Sequence, residues 1–286
     1  MSVVTHLDQY QASKASLDPS AALWARLRQE AEDAFSSEPV MAPLFVNSIL
    51  NRSSFEDAVS HRISIRLGNE IVPAYLIHDV FAQALANDPA IGEAFRFDIM
   101  AVLDRDPACE RLIEPFLFFK GFHAIQTHRL AHWLWTNNRT DFALYLQSRS
   151  SDVFQTDINP AAQFGRGIFL DHATGLVVGA TSVIDDNVSI LQNVTLGGTG
   201  NERGDRHPKV RSGVMIGAGA KILGNIEIGA CSRIAAGSVV LHSVPPNTTM
   251  AGVPARAVGS AGCAEPARTM NQILSQLAYD SFTYTI

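Results

Sequence analysis

The chain has 286 residues, 47% of them apolar and 17% charged, with a formal net charge of −6. That is enough apolar matter for a sizeable core, and it excludes a disordered chain. The acidic balance argues against a general electrostatic grip on nucleic acid, which needs a basic face.

The opening stretch has neither a basic n-region nor an apolar h-region, so no signal peptide is expected. No run approaches the ~18 apolar residues of a membrane span. Cys109, Cys231 and Cys263 are odd in number and lack a CxxC pattern. The expectation is a reducing compartment, no disulfide framework and no cysteine-based zinc site. The reading is a soluble cytoplasmic protein without a membrane or nucleic-acid partner.

Residues 1–19 are polar and expected to be mobile. Residues 20–151 read as a helical domain. "SAALWARLRQEAEDAF" starts at a capping-type Ser20 and returns Leu23, Leu27, Ala31 and Phe35 every four residues. "SSFEDAVSHRISIRL" and "AYLIHDVFAQALAND" behave alike. "NDPAIGEAFRFDIMAVLDRD" offers Asn87 or Asp88 as an N-cap beside Pro89. "EPFLFFKGFHAIQTHRLAHWLWTNN" reads as one long helix opening at Pro115, with Phe118, Phe122, Ile125, Leu130 and Trp133 inward.

Near Asp152 the period changes to six. Ile158, Phe164, Leu170, Leu176, Ser182, Val188 and Val194 form one run; Val210, Ile216, Ile222, Ile228, Ile234 and Val240 form a second. Only Ser182 is not a large apolar residue. Six fits neither a helix nor an ordinary hairpin strand. It marks a parallel β-helix with three flat sides and ~18 residues per coil. Each inward residue then contributes roughly 1.5–3 kcal/mol by burial. The β-helix domain is expected over residues 152–258. The sixteen residues from Val194 to Val210 exceed a hexad by about ten, so a loop of about 197–209 must leave the wall. Residues 259–286 lose the period and read as a flexible tail. In "GIFLDHATGLVVG", Leu170 points inward, so Asp171 and His172 fall on positions that can face outward.

The run "DINPAAQFGRGIFLDHATG…GGTGNERGDRHPK…AGVPAR", with "FDIMAVLDRDPA" and "FLFFKGFHAIQTHRLAHWLW", resembles the bacterial serine O-acetyltransferases over roughly residues 20–258. The resemblance implies an α+β architecture: an all-helical N-terminal domain followed by a left-handed parallel β-helix of hexapeptide repeats. It implies acetyl transfer from acetyl-CoA to L-serine, the first step of cysteine biosynthesis, in a homotrimer or dimer of trimers with sites between neighbouring prisms. It implies no metal.

A serine hydroxyl needs a base as it attacks a thioester, and imidazole has a suitable pKa. By resemblance His172 is that base. Asp157, fifteen residues earlier, is the acid that fixes its tautomer. Asp98 and Asp171 are expected to hold the ammonium of serine, and Arg206 and His207 its carboxylate. Acetyl-CoA is expected along Ala218, Gly219, Ala236 and Gly237, with Arg256 near its phosphates and the loop amides near Gly198 as oxyanion donors. L-Cysteine, which differs from serine only at Oγ/Sγ, is expected to inhibit. Ile286, as a C-terminal isoleucine, is expected to bind O-acetylserine sulfhydrylase.

Two departures stand out. Asn159 replaces the histidine of the common "DIHP", and His128 lies where an aromatic is usual. The rivals are a hexapeptide acetyltransferase for another hydroxyl (homoserine or a sugar), a metalloenzyme using His128 and His132 at i, i+4, and a scaffold.

Overall fold

The structure is a computed structural model that describes residues 19–200 and 203–274. The Ile286 expectation lies outside those residues.

The helical part begins with α1 (Pro19–Ser37), a 3₁₀ turn at Pro39–Met41, α2 (Ala42–Phe45) and a π turn at Val46–Leu50. Then come α3 (Phe55–Leu67), α4 (Ala74–Asn87) and α5 (Ala90–Arg105). Ser54 caps α3 by accepting from the Asp57 amide at 3.2 Å. Asp88 Oδ1 accepts from the Ala90 amide at 3.2 Å, so Asp88 rather than Asn87 serves the start of α5. In α1, Leu23, Leu27 and Ala31 are buried, but Phe35 at the end of the stripe is exposed.

The expected long helix from Pro115 is two helices, α6 (Ile113–Leu117) and α7 (Lys120–Thr136). The chain breaks at Phe118–Phe119, and Phe118 is exposed rather than inward. α8 runs from Thr140 to Phe154 and ends on Gln155 in the left-handed region, with φ 60°.

From Thr156 the chain winds into a three-sided prism. Face A stacks β1 (Thr156–Ile158), β4 (Leu176–Val178), β7 (Thr195–Gly197), β10 (Lys221–Leu223) and β13 (Val239–Val240). Face B stacks β2 (Gln163–Phe164), β5 (Val183–Ile184), β8 (Lys209–Val210) and β11 (Glu227–Ile228). Face C stacks β3 (Phe169–Leu170), β6 (Ser189–Ile190), β9 (Met215–Ile216), β12 (Arg233–Ile234) and β14 (Thr248–Gly252). It ends in an antiparallel β15 (Ala255–Ser260).

The register revises the counting in sixes. Ile158 pairs with Val178, Phe164 with Ile184 and Leu170 with Ile190, a first coil of twenty residues. Later coils, such as Ile222 to Val240, have eighteen. Leu176, Ser182, Val188 and Val194 are all buried, but they are the second inward position of each hexad, two residues before the paired one. The first coil gains two residues at the corner between Leu170 and Val178, the corner that carries Asp171 and His172. The step from Leu196 to Val210 is fourteen, so the extruded loop adds eight residues rather than about ten.

Helices and prism share a junction. Ile125 of α7 belongs to the core of the prism, whereas Phe169 of β3 turns outward into the helical core. Asp98 of α5 is fully buried there. It accepts from Arg129 Nε at 2.9 Å and Nη2 at 2.7 Å, from Gln126 Nε2 at 2.9 Å, and from the Ile168 amide at 2.9 Å. Arg129 also donates to Gly165 O at 2.8 Å. A buried carboxylate persists only when its lone pairs are used in this way.

Gly121, in the first turn of α7, presses on the Leu170 carbonyl, and a Cβ there would sit 1.9 Å from that oxygen. Gly121→Ala is therefore expected to push α7 off the corner that follows Leu170. Its thermal midpoint should fall by several degrees and turnover should fall with it. An unchanged midpoint and unchanged turnover would contradict this packing.

The segment after β15 is docked as far as it is described, rather than loose. α9 (Pro266–Thr269) lies on face C, with the Ala267 amide donating to Gly213 O at 3.2 Å. Arg268 pairs with Asp104 of α5 at 2.9 Å, and Arg233 donates to the carbonyls of Asn271 and Ile273. Among the described residues no helix is long and apolar enough to cross a membrane.

Candidate active site

The enlarged corner between faces C and A holds His172. Two extra residues cannot follow the flat wall, so the backbone folds into a tight local turn. The Ala173 amide donates to Asp171 O at 2.5 Å and the Thr174 amide to His172 O at 2.8 Å. His172 and Ala173 both take left-handed φ, 54° and 59°, and are the only adjacent non-glycine pair to do so among the described residues. Such residues cost of order 1–3 kcal/mol each and cluster where function needs them. The turn thrusts the imidazole into solvent, its side chain 73% exposed.

The cleft beneath has a volume of about 570 Å³. Its walls include Asp106, Lys120, Gly121, Asp171, His172 and Thr174. His172 Nε2 lies 3.7 Å from Asp171 Oδ1. Burial pushes the Asp171 carboxyl above its usual range; the His172 ring opposes this and Asp106 adds to it.

Asp98 is not in this cleft. Its carboxylate is spent on Arg129, Gln126 and Ile168 at the domain junction, so the expected role for it in holding an ammonium is withdrawn. The acid that faces Asp171 is Asp106, just after α5, held by accepting from the Ala108 amide at 2.9 Å. The sequence held a signal for this. Asp98 shares a helical face with the buried Phe95, Ala101 and Val102, while Asp106 precedes Pro107 and so leaves the helix.

Asp157 faces outward on β1 and accepts from Gln147 Nε2 at 2.6 Å. Its strand partner is Val177, five residues after His172, and it is not within 4.0 Å of the ring. The expected Asp157–His172 pair is therefore not formed here.

Arg206 and His207 lie at the opposite edge of face A. His207 Nδ1 accepts from the Thr181 amide at 3.2 Å and lies 2.8 Å from Thr181 Oγ1. Thr181 Oγ1 itself accepts the amides of Arg206 and His207, and because Nδ1 accepts the Thr181 amide, the neutral ring carries its N–H on Nε2. Burial, Arg206 and Lys209 push the His207 pKa down. The ring passes over Gly179, where a Cβ would lie 2.1 Å from Nε2. Gly198 sits beside the Arg206 side chain, at this edge.

The remaining small residues lie on the His172 edge. Stacked corners are linked by amide hydrogen bonds: Asn193 to Thr174 O at 2.7 Å, Gly219 to Gln192 O at 2.9 Å, and Gly237 to Ala218 O at 2.8 Å. Ala218 and Gly219 are half-buried, and Ala236 and Gly237 are exposed. Gly237 has no atom within 4 Å of where a Cβ would be. Arg256 is exposed on β15, at the far end of the stack.

The two departures have structural explanations. Asn159 turns the first corner by accepting the Ala161 amide at 3.0 Å. His128 is buried against Phe164, with ring centroids 4.9 Å apart, and its Nε2 meets Ala162 O at 3.1 Å. His132 Nδ1 meets Pro160 O at 2.8 Å. Each ring thus uses a nitrogen on a backbone carbonyl. Among the described residues no three His, Cys, Asp or Glu side chains converge as metal ligands.

A stack of hexads with an imidazole at one corner defines a hexapeptide-repeat acyltransferase. In keeping with this, residues 207–242 match the family described as bacterial transferase hexapeptide (six repeats), and residues 23–127 match serine acetyltransferase, N-terminal. The serine acetyltransferase of Haemophilus influenzae is 52% identical over 250 residues, 87% of this chain and 94% of that protein. A serine acetyltransferase of Brucella abortus solved with coenzyme A superposes with a TM-score of 0.84. It is 58% identical, and the match covers 91% of this chain and 100% of that one. A serine acetyltransferase solved with cysteine gives a TM-score of 0.87 at 51% identity, covering 90% of this chain and 100% of that one. The chain belongs to the serine acetyltransferase family.

Proposed function

We propose that the chain transfers acetyl from acetyl-CoA to the hydroxyl of L-serine, giving O-acetyl-L-serine and CoA, and so opens cysteine biosynthesis. One arrangement carries this reading: an exposed imidazole and two carboxylates share a cleft at the end of a row of small residues. That arrangement supplies a base, a seat for an ammonium and a track for a pantetheine arm.

His172 takes the proton of the serine hydroxyl as the oxygen attacks the thioester carbonyl. The tetrahedral intermediate expels the CoA sulfur, and the imidazolium returns the proton to it. The nucleophile belongs to the substrate, so no acyl-enzyme is needed. Asp106 and Asp171 hold the ammonium. With Asp171 so engaged, the orienting acid is Asp157, whose carboxylate must exchange Gln147 Nε2 for the imidazole when substrate binds. Arg206 and the Nε2–H of His207 hold the carboxylate.

In one prism these two groups lie at opposite edges of face A. A complete serine site thus calls for a second copy, the His172 edge of one chain against the Arg206–His207 edge of the next. Repeated around an axis, that contact closes a homotrimer, with dimers of trimers as a further level. Ala218, Gly219, Ala236 and Gly237 line the acetyl-CoA track, Arg256 meets the phosphates, and Gly198 lies on the loop that supplies oxyanion donors. The relatives solved with coenzyme A and with cysteine support the co-substrate and feedback inhibition by L-cysteine. The cytoplasmic location belongs to the same proposal and rests on the three free cysteines, which suit a reducing compartment. The sulfhydrylase partner is kept as a proposal, and co-purification with and without Ile286 decides it.

The test is thiol release from acetyl-CoA with L-serine, L-homoserine or a sugar as acceptor. Serine is expected to give the highest kcat/KM, and cysteine to suppress the rate in competition with it. Equal or faster transfer to homoserine or a sugar would assign the other acceptor.

A further inference from the structure

We infer that Lys120 is a positioning residue for His172. Its ammonium tethers the strained corner and offsets the carboxylates facing the imidazole. The inference rests on the reading of His172 as the base.

Lys120 opens α7, right after the break at Phe118–Phe119. Its Nζ donates to Gln155 Oε1 at 3.0 Å and also to Thr174 Oγ1. Gln155 ends α8, and its carbonyl accepts the Gly175 amide at 2.8 Å. One ammonium therefore joins the start of α7, the end of α8 and the last residues of the turn that carries His172. That turn needs an anchor. Its residues 172, 173 and 175 all have left-handed φ. Its internal hydrogen bonds are all short-range, spanning two residues at Ala173 and Thr174 and three at Leu176.

The second part is charge. The groups facing the imidazole across the cleft are Asp171 from its own corner, Asp106 from just after α5 and Lys120 from α7, while Asp157 on β1 is turned to Gln147. Lys120 is the one cation in that set. Two carboxylates in the cleft favour imidazolium, which is not a base. The Lys120 ammonium is the positive charge set against them. It bears on the ring and the turn rather than on the reacting atoms.

The experiment uses the full-length chain and compares wild type, Lys120→Met, Lys120→Arg, Thr174→Val and His172→Ala. The readout is the pH profile of kcat/KM for serine from pH 6 to 9.5, with thermal midpoints measured in parallel. Lys120→Met is expected to lower kcat/KM about 10–100-fold at pH 7. It should also move the acid limb up by about half to one pH unit. KM for acetyl-CoA should be unchanged. Lys120→Arg should restore the limb. Thr174→Val, which cuts the tether but keeps the charge, should lower the rate and leave the limb in place. An acid limb in Lys120→Met that matches wild type, or a limb that arginine does not restore, would overturn the inference. If Lys120→Met fails to fold, Lys120→Gln, which removes the charge and keeps a hydrogen-bonding head, should move the limb in the same direction, and an unmoved limb there overturns the inference. Full activity in His172→Ala would instead overturn the base reading, so the two failures are distinguishable.

Discussion

Replacing His172 with alanine lowers kcat/KM for acetyl transfer to serine by about 10²–10⁴-fold, the range a positioned general base supplies. The fold should survive, because the side chain is mostly exposed and holds up no packing. One complication is the backbone. At φ 54° alanine fits less readily than histidine or asparagine, which are enriched in the left-handed region. His172→Asn is the matching control, since it keeps the turn and lacks a base of suitable pKa. Both variants should lose turnover while binding CoA with unchanged affinity, as measured by calorimetry. If His172→Asn kept wild-type turnover, proton removal by this ring would be refuted.

Stability is expected to fall steeply in mild acid. His123 and His128 are fully buried, and burial pushes both rings down to about 3. In the unfolded chain each titrates near 6.5. Above 6.5 both states hold them neutral and the stability is complete. Between 6.5 and about 3 the unfolded chain takes up protons that the folded chain refuses, so stability is lost as pH falls. At pH 5 the loss is roughly 2 kcal/mol for each ring, about 4 kcal/mol for the pair, a large share of a typical domain's margin. Urea denaturation at fixed protein concentration, from pH 7.5 to 4.5, measures it. His128→Phe, which keeps a ring against Phe164, should remove about half of the slope. Equal midpoints at pH 7.5 and 5 would mean that the two rings are accessible to protons in the folded state.

The prism was legible because each inward side chain is specified six residues from the last, and a local rule survives being read without a structure. The two-residue enlargement at His172 was not. Counting in sixes past Leu170 steps from one inward position to the other, and since both are small or apolar the slip leaves no mark. For the same reason a separation of fifteen residues did not bring Asp157 to His172, in a coil that is twenty residues long. The sequence does not single out Asp106, because three acids lie within nine residues and only their placement on α5 or just past its end tells them apart. The docking of residues 261–273 rests on Arg233 and Arg268, single side chains with no period to announce them.

The enlarged corner and the three corners stacked on it also act as a ruler. Neighbouring strands lie about 4.8 Å apart, so the span from His172 to Gly237 is about 14 Å. A thioester seated at the base would leave its nucleotide end near the last rung, whatever the outer loops do. Inserting one whole eighteen-residue coil, either between Thr174 and Asn193 or between Gly237 and Arg256, would move the proposed Arg256 anchor one rung further from the acyl group.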